Sequence, residues 1–419
     1  MTIYDEAMQM KEELVACRRD LHAHPELAWT EFRTASHVAK SLKALGYEVL
    51  MGDACMKADE MMGVPDKAEL SRAMGRAIKE GADPELVKKM EGGKTGVVGI
   101  MHFAKPGKTV GLRFDMDCLL VEENPTDAHR PTRDGFASTH PGLMHACGHD
   151  GHTAIGLGVA RLIAAHKDEM AGTVKLCFQP GEEGVMGARG MVASGIVDDV
   201  DYFLSGHIGL GNGENNSLVC MTEGFLATSK IDAFFTGKPA HAGANPQNGR
   251  NALLAAAQAS LALHTISRHS DGPSRINVGI LKAGTGRNVI PDNAVIKFET
   301  RGGSTAINEF MEGEARRMIK AAADMYGVTV KMVARGGAAS GNSSPDMGEE
   351  VYEVVKGLGV YSDIEQHHTV SGSEDCSYFM SRVQAHGGKA AYMLSGTDEA
   401  SGHHTSEFDF NEDVLPLRV

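Results

Sequence analysis

Residues 144–152 read MHACGHDGH, which places Cys147 and the imidazoles of His145, His149 and His152 within eight positions. Cys147 and His149, two apart, can face one cation from an extended backbone, because alternate side chains share a face. Gly148 and Gly151 let the chain turn sharply before a helix expected from about Thr153. A closed structural zinc site needs a second Cys or His pair at short spacing. None follows, so an open catalytic metal site fits the run better. A second stretch, QPGEEG at 179–184, follows the apolar run 173–178. Adjacent carboxylates at the end of a buried strand are costly without a compensating positive charge. One of Glu182 and Glu183 can ligate a metal while the other takes a proton from an activated water. Two glutamates opening a helix are also ordinary charge on its dipole.

Asp115 and Asp117 follow the run 109–114, His207 follows 201–204, and GHHT at 402–405, with His403 and His404, offers another imidazole. In open α/β sheets, ligands bind outside the carboxyl ends of the strands. Metal-type residues leaving three strands at that end form a joint signal stronger than any one of them. AHAG at 240–243 contributes His241 in a small-residue loop. GRNVIP at 286–291, with Asn288, and Arg301 offer amide and guanidinium donors suited to a carboxylate.

These groups need a scaffold. A helical period over 6–47, interrupted by Pro25, predicts two helices with a turn at 24–26. The stretch 52–93 is rich in Met, Lys, Glu and Ala and predicts one or two short helices. It reads either as a mobile surface insertion or as a rim that meets a partner or substrate. The runs 96–101, 109–114, 173–178 and 201–204 predict strands, and 153–166 predicts a helix with Ile155, Val159, Leu162 and Ile163 on one stripe. Strands alternating with helices predict a doubly wound α/β domain. Near Thr222 the pattern changes to strand 229–235, helix 251–266, strands 275–281 and 294–299, helix 308–326 and strand 328–333. That βαββαβ order is the ferredoxin-like split unit. The expected division is therefore a discontinuous metal-binding domain, 1–221 and 336–419, with 222–335 inserted into it.

The chain has 419 residues and a net charge of 41 − 55 = −14. Such a chain has no general field for nucleic acid or an anionic membrane. No apolar stretch approaches the roughly 18 residues of a spanning helix, and 1–10 lacks the apolar run of a signal peptide. Seven scattered cysteines read as reduced thiols in a cytoplasm.

With these residues in place, the chain resembles the M20 metallopeptidases, in their amidohydrolase branch. The matching stretches are RRDLHAHPE at 18–26, 115–117, 145–152, 179–183, His207, His241, 288–291, 372–375 and 404–408. They run in family order over nearly the whole chain. The resemblance implies two divalent ions, Mn2+ or Zn2+, held by Cys147, His149, Glu183, His207 and His404, with Cys147 bridging. It implies Glu182 as general base and Asp117 as the acid that supports the metal ligands. His241 would reach a neighbouring subunit's site from a lid and dimerisation domain. That implies a homodimer, or a heterodimer with a homologous second subunit. Asn288 and Arg301 would hold the substrate's carboxylate. The implied reaction is hydrolysis of an N-acyl or aroyl acidic amino acid, with p-aminobenzoyl-glutamate as the leading case. Indole-3-acetyl-aspartate, another N-acyl amino acid, or a supporting role in a two-subunit hydrolase are the alternatives. Where the family continues into a terminal helix after FDFNE at 408–412, Pro416 stands in the way here, so that edge is expected to pack differently.

Overall fold

The computed structural model describes residues 2–209 and 215–419. In chain order its strands begin with β1 (Glu48–Met51), β2 (Val97–His102), β3 (Lys105–Asp115), β4 (Ala171–Gln179), β5 (Tyr202–Ile208), β6 (Ser217–Val219) and β7 (Thr222–Glu223). There follow β8 (Ala227–Thr236), β9 (Ser274–Ala283), β10 (Asn293–Gly302) and β11 (Thr329–Ala338). The last are β12 (Asp363–Glu365), β13 (His368–Thr369) and β14 (Lys389–Ser395). One compact unit takes Met1–Glu223, Asn342–Val370 and Asp375–Val419; a second takes Gly224–Gly341 and Ser371–Glu374.

The first unit is built on an eight-stranded sheet of order β1-β2-β4-β3-β5-β14-β6-β12. Its centre, β4-β3-β5-β14, is parallel, an arrangement that needs crossover connections rather than tight hairpins. The β1-β2, β2-β4 and β14-β6 pairs are antiparallel. The sheet is therefore mixed rather than doubly wound throughout. Register fixes what the site needs: Asp115 stands opposite Gln179, and the Leu112–Leu204 pairing puts Asp115 level with His207.

Three helices, Ile3–Gln9, Lys11–Ala23 and Phe32–Ala44, replace the two expected near the N-terminus. The second stops at Ala23 because Pro25 excludes His24 from helical geometry. The stretch 52–93 packs into the core of the first unit. Its helices Lys67–Lys79 and Pro84–Lys89 are N-capped by Asp66 and Asp83. They bury Leu70, Ala73, Ala77, Leu86 and Val87 in one core with Phe32, Val38 and Leu42. The small alanines in that stripe hid its apolar face.

The second unit runs strand-helix-strand-strand-helix-strand, with helices Ala252–Leu263 and Thr305–Met325 between β8, β9, β10 and β11. Its sheet is antiparallel, of order β11-β8-β10-β9. Ala255, Ala256 and Ala259 line the buried side of the first helix and let it lie close on the sheet. The unit extends past the expected 335 because β11 still pairs with β8 at Ala338–Thr228. It also takes in Ser371–Glu374, which was expected in the metal-binding domain. Among the described residues no helix is long and apolar enough to cross a membrane.

Candidate metal centre

Gly148 adopts φ +88° and caps a helix that runs His149–Ala165, four residues earlier than expected. Cys147 and His149 therefore straddle a helix start; they do not share one face of an extended strand. An alanine at 148 has room, its nearest neighbour being Phe408 Cζ at 3.8 Å. The left-handed backbone is what disfavours it. Gly148→Ala is expected to lower stability in urea unfolding by about 1–2 kcal/mol and to weaken metal uptake measured on the same preparation.

His149 donates from Nδ1 to the Asp117 carbonyl at 2.9 Å. That bond aims Nε2 inward, where it is buried and has no hydrogen-bond partner among the described residues. An orphaned buried nitrogen is costly, and a ring anchored by its other nitrogen is how a histidine meets a metal. The ligand atoms of Cys147, His149 and His207 lie within 4.8 Å of one another. Those of Cys147, Glu183 and His404 form a second such set, so the two sets share the thiol. Cys147 Sγ is 3.4 Å from His207 Nε2. His207 lies inside β5, near its end, and not after the strand; its Nδ1 donates to the Ile208 carbonyl. His404 is pinned by its own amide, which donates to the Ala146 carbonyl at 2.7 Å. Its Nε2 is 3.5 Å from Glu183 Oε1.

Glu182, Glu183 and His149 also bring ligand atoms within 4.8 Å of one another. The doublet is held by Asp117, whose two oxygens accept the amides of Glu182 and Glu183 at 2.9 Å each. Burial, reinforced by Glu183 and Asp115, pushes the Asp117 carboxyl up against the pull of His149. Burial also pushes the Cys147 thiol well above its ordinary range, with His149 opposing and Glu183 and Glu182 adding to the rise. A thiolate there needs a cation. Thiol, imidazoles and carboxylate are the donors a divalent transition metal takes, so the residues fit such a group.

His152 supports the cluster from one side: its Nδ1 meets Asp115 at 2.6 Å, and its Nε2 accepts the Ile208 amide at 2.9 Å. His145 is buried, and among the described residues neither of its ring nitrogens is paired and it joins none of the ligand sets. Burial pushes it down to about 3.

A buried charge frame behind the helix start had no assigned role in the sequence. Arg18 meets Asp150, Asp409 and Glu412 at 2.8, 3.0 and 3.1 Å. His22, one helical turn on, bonds Asp150 at 2.8 Å and Glu123 at 3.0 Å. The i, i+4 spacing of Arg18 and His22 within RRDLHAHPE was the available signal.

In the second unit, His241 and Asn288 come together through a His241–Val289 bridge and the Ala242 amide on the Asn288 carbonyl. His241 Nδ1 accepts the Gly243 and Ala244 amides at 3.2 and 3.0 Å, which leaves Nε2 as the N–H donor. Arg301 is not with them. It lies near the far end of β10, its Nε 3.0 Å from Glu299. At the usual strand rise, about 26 Å separate Asn293, where β10 begins, from Arg301. Asn288 and Arg301 of one chain therefore stand towards opposite ends of β10.

The Peptidase family M20/M25/M40 model matches residues 111–419. The indole-3-acetyl-aspartic acid hydrolase of Enterobacter agglomerans is 48% identical over 412 residues, 98% of this chain and 94% of that protein. One subunit of the p-aminobenzoyl-glutamate hydrolase of Escherichia coli (strain K12) is 48% identical over 403 residues, 96% of this chain and 92% of that one. Among solved structures, an aminobenzoyl-glutamate utilization protein from Klebsiella pneumoniae superposes with TM-score 0.84 at 40% identity, covering 100% of this chain and 97% of that one.

Proposed function

Because the chain belongs to peptidase family M20/M25/M40, we propose that it hydrolyses the amide joining an aromatic acyl group to an acidic amino acid, p-aminobenzoyl-glutamate first among such substrates. It is a metal-dependent amidohydrolase of that family. The observation that carries the substrate reading is a cluster in which two ligand sets share Cys147, with Glu182 beside them, in a chain 48% identical to two hydrolases of such conjugates.

Cys147, His149 and His207 would hold one divalent ion, and Cys147, Glu183 and His404 a second. When bound, such ions supply Lewis-acid polarisation of the scissile carbonyl and lower the pKa of a water. Thiol and imidazoles suit zinc, and the carboxylate suits manganese as well. Glu182 takes the proton of the attacking water and returns it to the amide nitrogen as the C–N bond breaks. Asp117 fixes the backbone under both glutamates. His241 offers Nε2–H to the oxyanion that develops on the carbonyl.

The second unit has the strand order of a ferredoxin-like split domain and serves as lid and dimerisation domain. Arg301 holds a substrate carboxylate. The His241–Asn288 pair, at the other end of β10, serves the site of a neighbouring copy or of a homologous second subunit. The E. coli relative bears the name of one subunit of its hydrolase, which supports an assembly of that kind. All seven cysteines are free, which supports a cytoplasmic setting.

Exhaustive chelation is expected to abolish hydrolysis, and Mn2+ or Zn2+ to restore it. Across a panel of p-aminobenzoyl-glutamate, indole-3-acetyl-aspartate and N-acetyl amino acids, kcat/KM should be highest for the first. An enzyme fastest on N-acetyl neutral amino acids would overturn the substrate assignment and leave the metal chemistry standing.

A further inference from the structure

Arg301 has two cationic neighbours in its own unit. A cavity of about 250 Å3 beside it is lined by Arg268, Arg275, Glu299 and Arg301, with Ser274 and Asn277 in its wall. Arg275 of β9 stands directly opposite Arg301 of β10, so the two side chains share one face of the sheet. Like charges in that relation repel. Glu299 answers only one of them, with its two oxygens 3.0 and 3.3 Å from Nε and Nη2 of Arg301. Among the described residues the Arg275 guanidinium has no hydrogen-bond or ion-pair partner. Arg268 spends Nη1 on the Ile266 carbonyl at 3.1 Å, which leaves its charge unanswered. Both are exposed and open to a ligand. Three guanidiniums against one carboxylate leave two positive charges uncompensated, in a chain whose net charge is −14.

We propose that this cavity takes both carboxylates of the substrate's amino-acid half, one on Arg301 and the other on Arg275 with Arg268, and so selects acidic residues over neutral ones. The proposal rests on the substrate reading above, in which Arg301 holds one carboxylate. A dianion brings the two negative charges that the cavity lacks. Residues directly opposite on antiparallel strands stand about 4.5–5.5 Å apart at Cα, a span of the same order as that between the carboxylates of a short dicarboxylic amino acid. Guanidinium forks match carboxylates in shape as well as charge. A neutral side chain in the same place leaves Arg275 facing Arg301 with no anion between them. Arg275 and Arg268 are thus specificity-determining residues, and the chemistry at the amide does not pass through them.

The test compares two conjugates of one shape and different charge, p-aminobenzoyl-glutamate and p-aminobenzoyl-glutamine, on the metal-loaded full-length protein. The wild type should favour the glutamate conjugate in kcat/KM. In Arg275→Gln the ratio of the two values should fall by about tenfold, the usual worth of a hydrogen bond to a charged group. Arg268→Gln should lower it by less, because one edge of that guanidinium is already spent. Arg275→Lys, which keeps the charge and loses the fork, should restore part of the ratio. Lys331→Gln, on the opposite edge strand of the same sheet, should leave the ratio in place, which separates the cavity from the general field of the unit. A ratio unmoved in Arg275→Gln, or lowered as far in Arg275→Lys or Lys331→Gln, overturns the proposal and leaves the substrate reading standing. A wild type that cleaves both conjugates equally well overturns it too. A wild type that cleaves neither overturns the substrate reading and the proposal with it.

Discussion

Glu182→Gln is expected to lower kcat for p-aminobenzoyl-glutamate by about 10²–10⁴-fold, the usual worth of a positioned general base, with KM and metal content near wild type. Glutamine keeps the shape of the side chain and the backbone N–H that Asp117 accepts, but it cannot take a proton from water. Glu182 Oε2 lies 4.0 Å from His149 Nε2, at the edge of the ligand cluster, so its loss need not strip the ions. Glu183→Gln should behave differently, losing metal first and activity as a consequence. Kinetics paired with metal analysis on both variants separates the two roles. Turnover within a few-fold of wild type in Glu182→Gln would remove that residue as the base.

Arg18→Ala carries the largest expected cost in stability. Its guanidinium is fully buried and is shared by Asp150, Asp409 and Glu412. Truncation leaves carboxylates in the interior with part of their compensation gone, and breaking a buried pair in this way costs about 3–5 kcal/mol. Urea unfolding of the two proteins at pH 7 measures it. The pH dependence has a definite sign. Burial raises Asp409 and Glu412, but Arg130 and Arg18 on the first, and Arg19 with Arg18 and Arg130 on the second, hold both below the ordinary carboxylate range. Their contribution is complete above about pH 4, where unfolded carboxylates ionise, and is lost as the pH falls towards the depressed folded values. The gap between wild type and Arg18→Ala should therefore narrow below pH 4. A gap that widens on acidification would mean that the frame is not held by ion pairing.

The strands were readable in the sequence because the central sheet is buried, which leaves short apolar runs such as 173–178 ending at polar residues. The Cys147-x-His149 spacing was readable for a similar reason, since so compact a donor set has few bland explanations. The start of its helix was not. Histidine, aspartate and glycine at 149–151 are poor helix formers, and only the left-handed turn at Gly148 in three dimensions fixes His149 as the first residue. The packing of 52–93 was obscured because much of its buried stripe is alanine. The Arg18 frame joins residues nearly four hundred positions apart, and no local pattern encodes such a pairing. The distance between Asn288 and Arg301 needed the strand to be laid out straight before it could be seen.

Asp117 has one more consequence. Both of its oxygens accept successive main-chain N–H groups, one each. Asparagine would match it in size and outline, yet would turn an NH2 towards one of those N–H groups, donor against donor. The position therefore accepts only an anion, and the least conspicuous exchange in the whole centre is also one it cannot absorb.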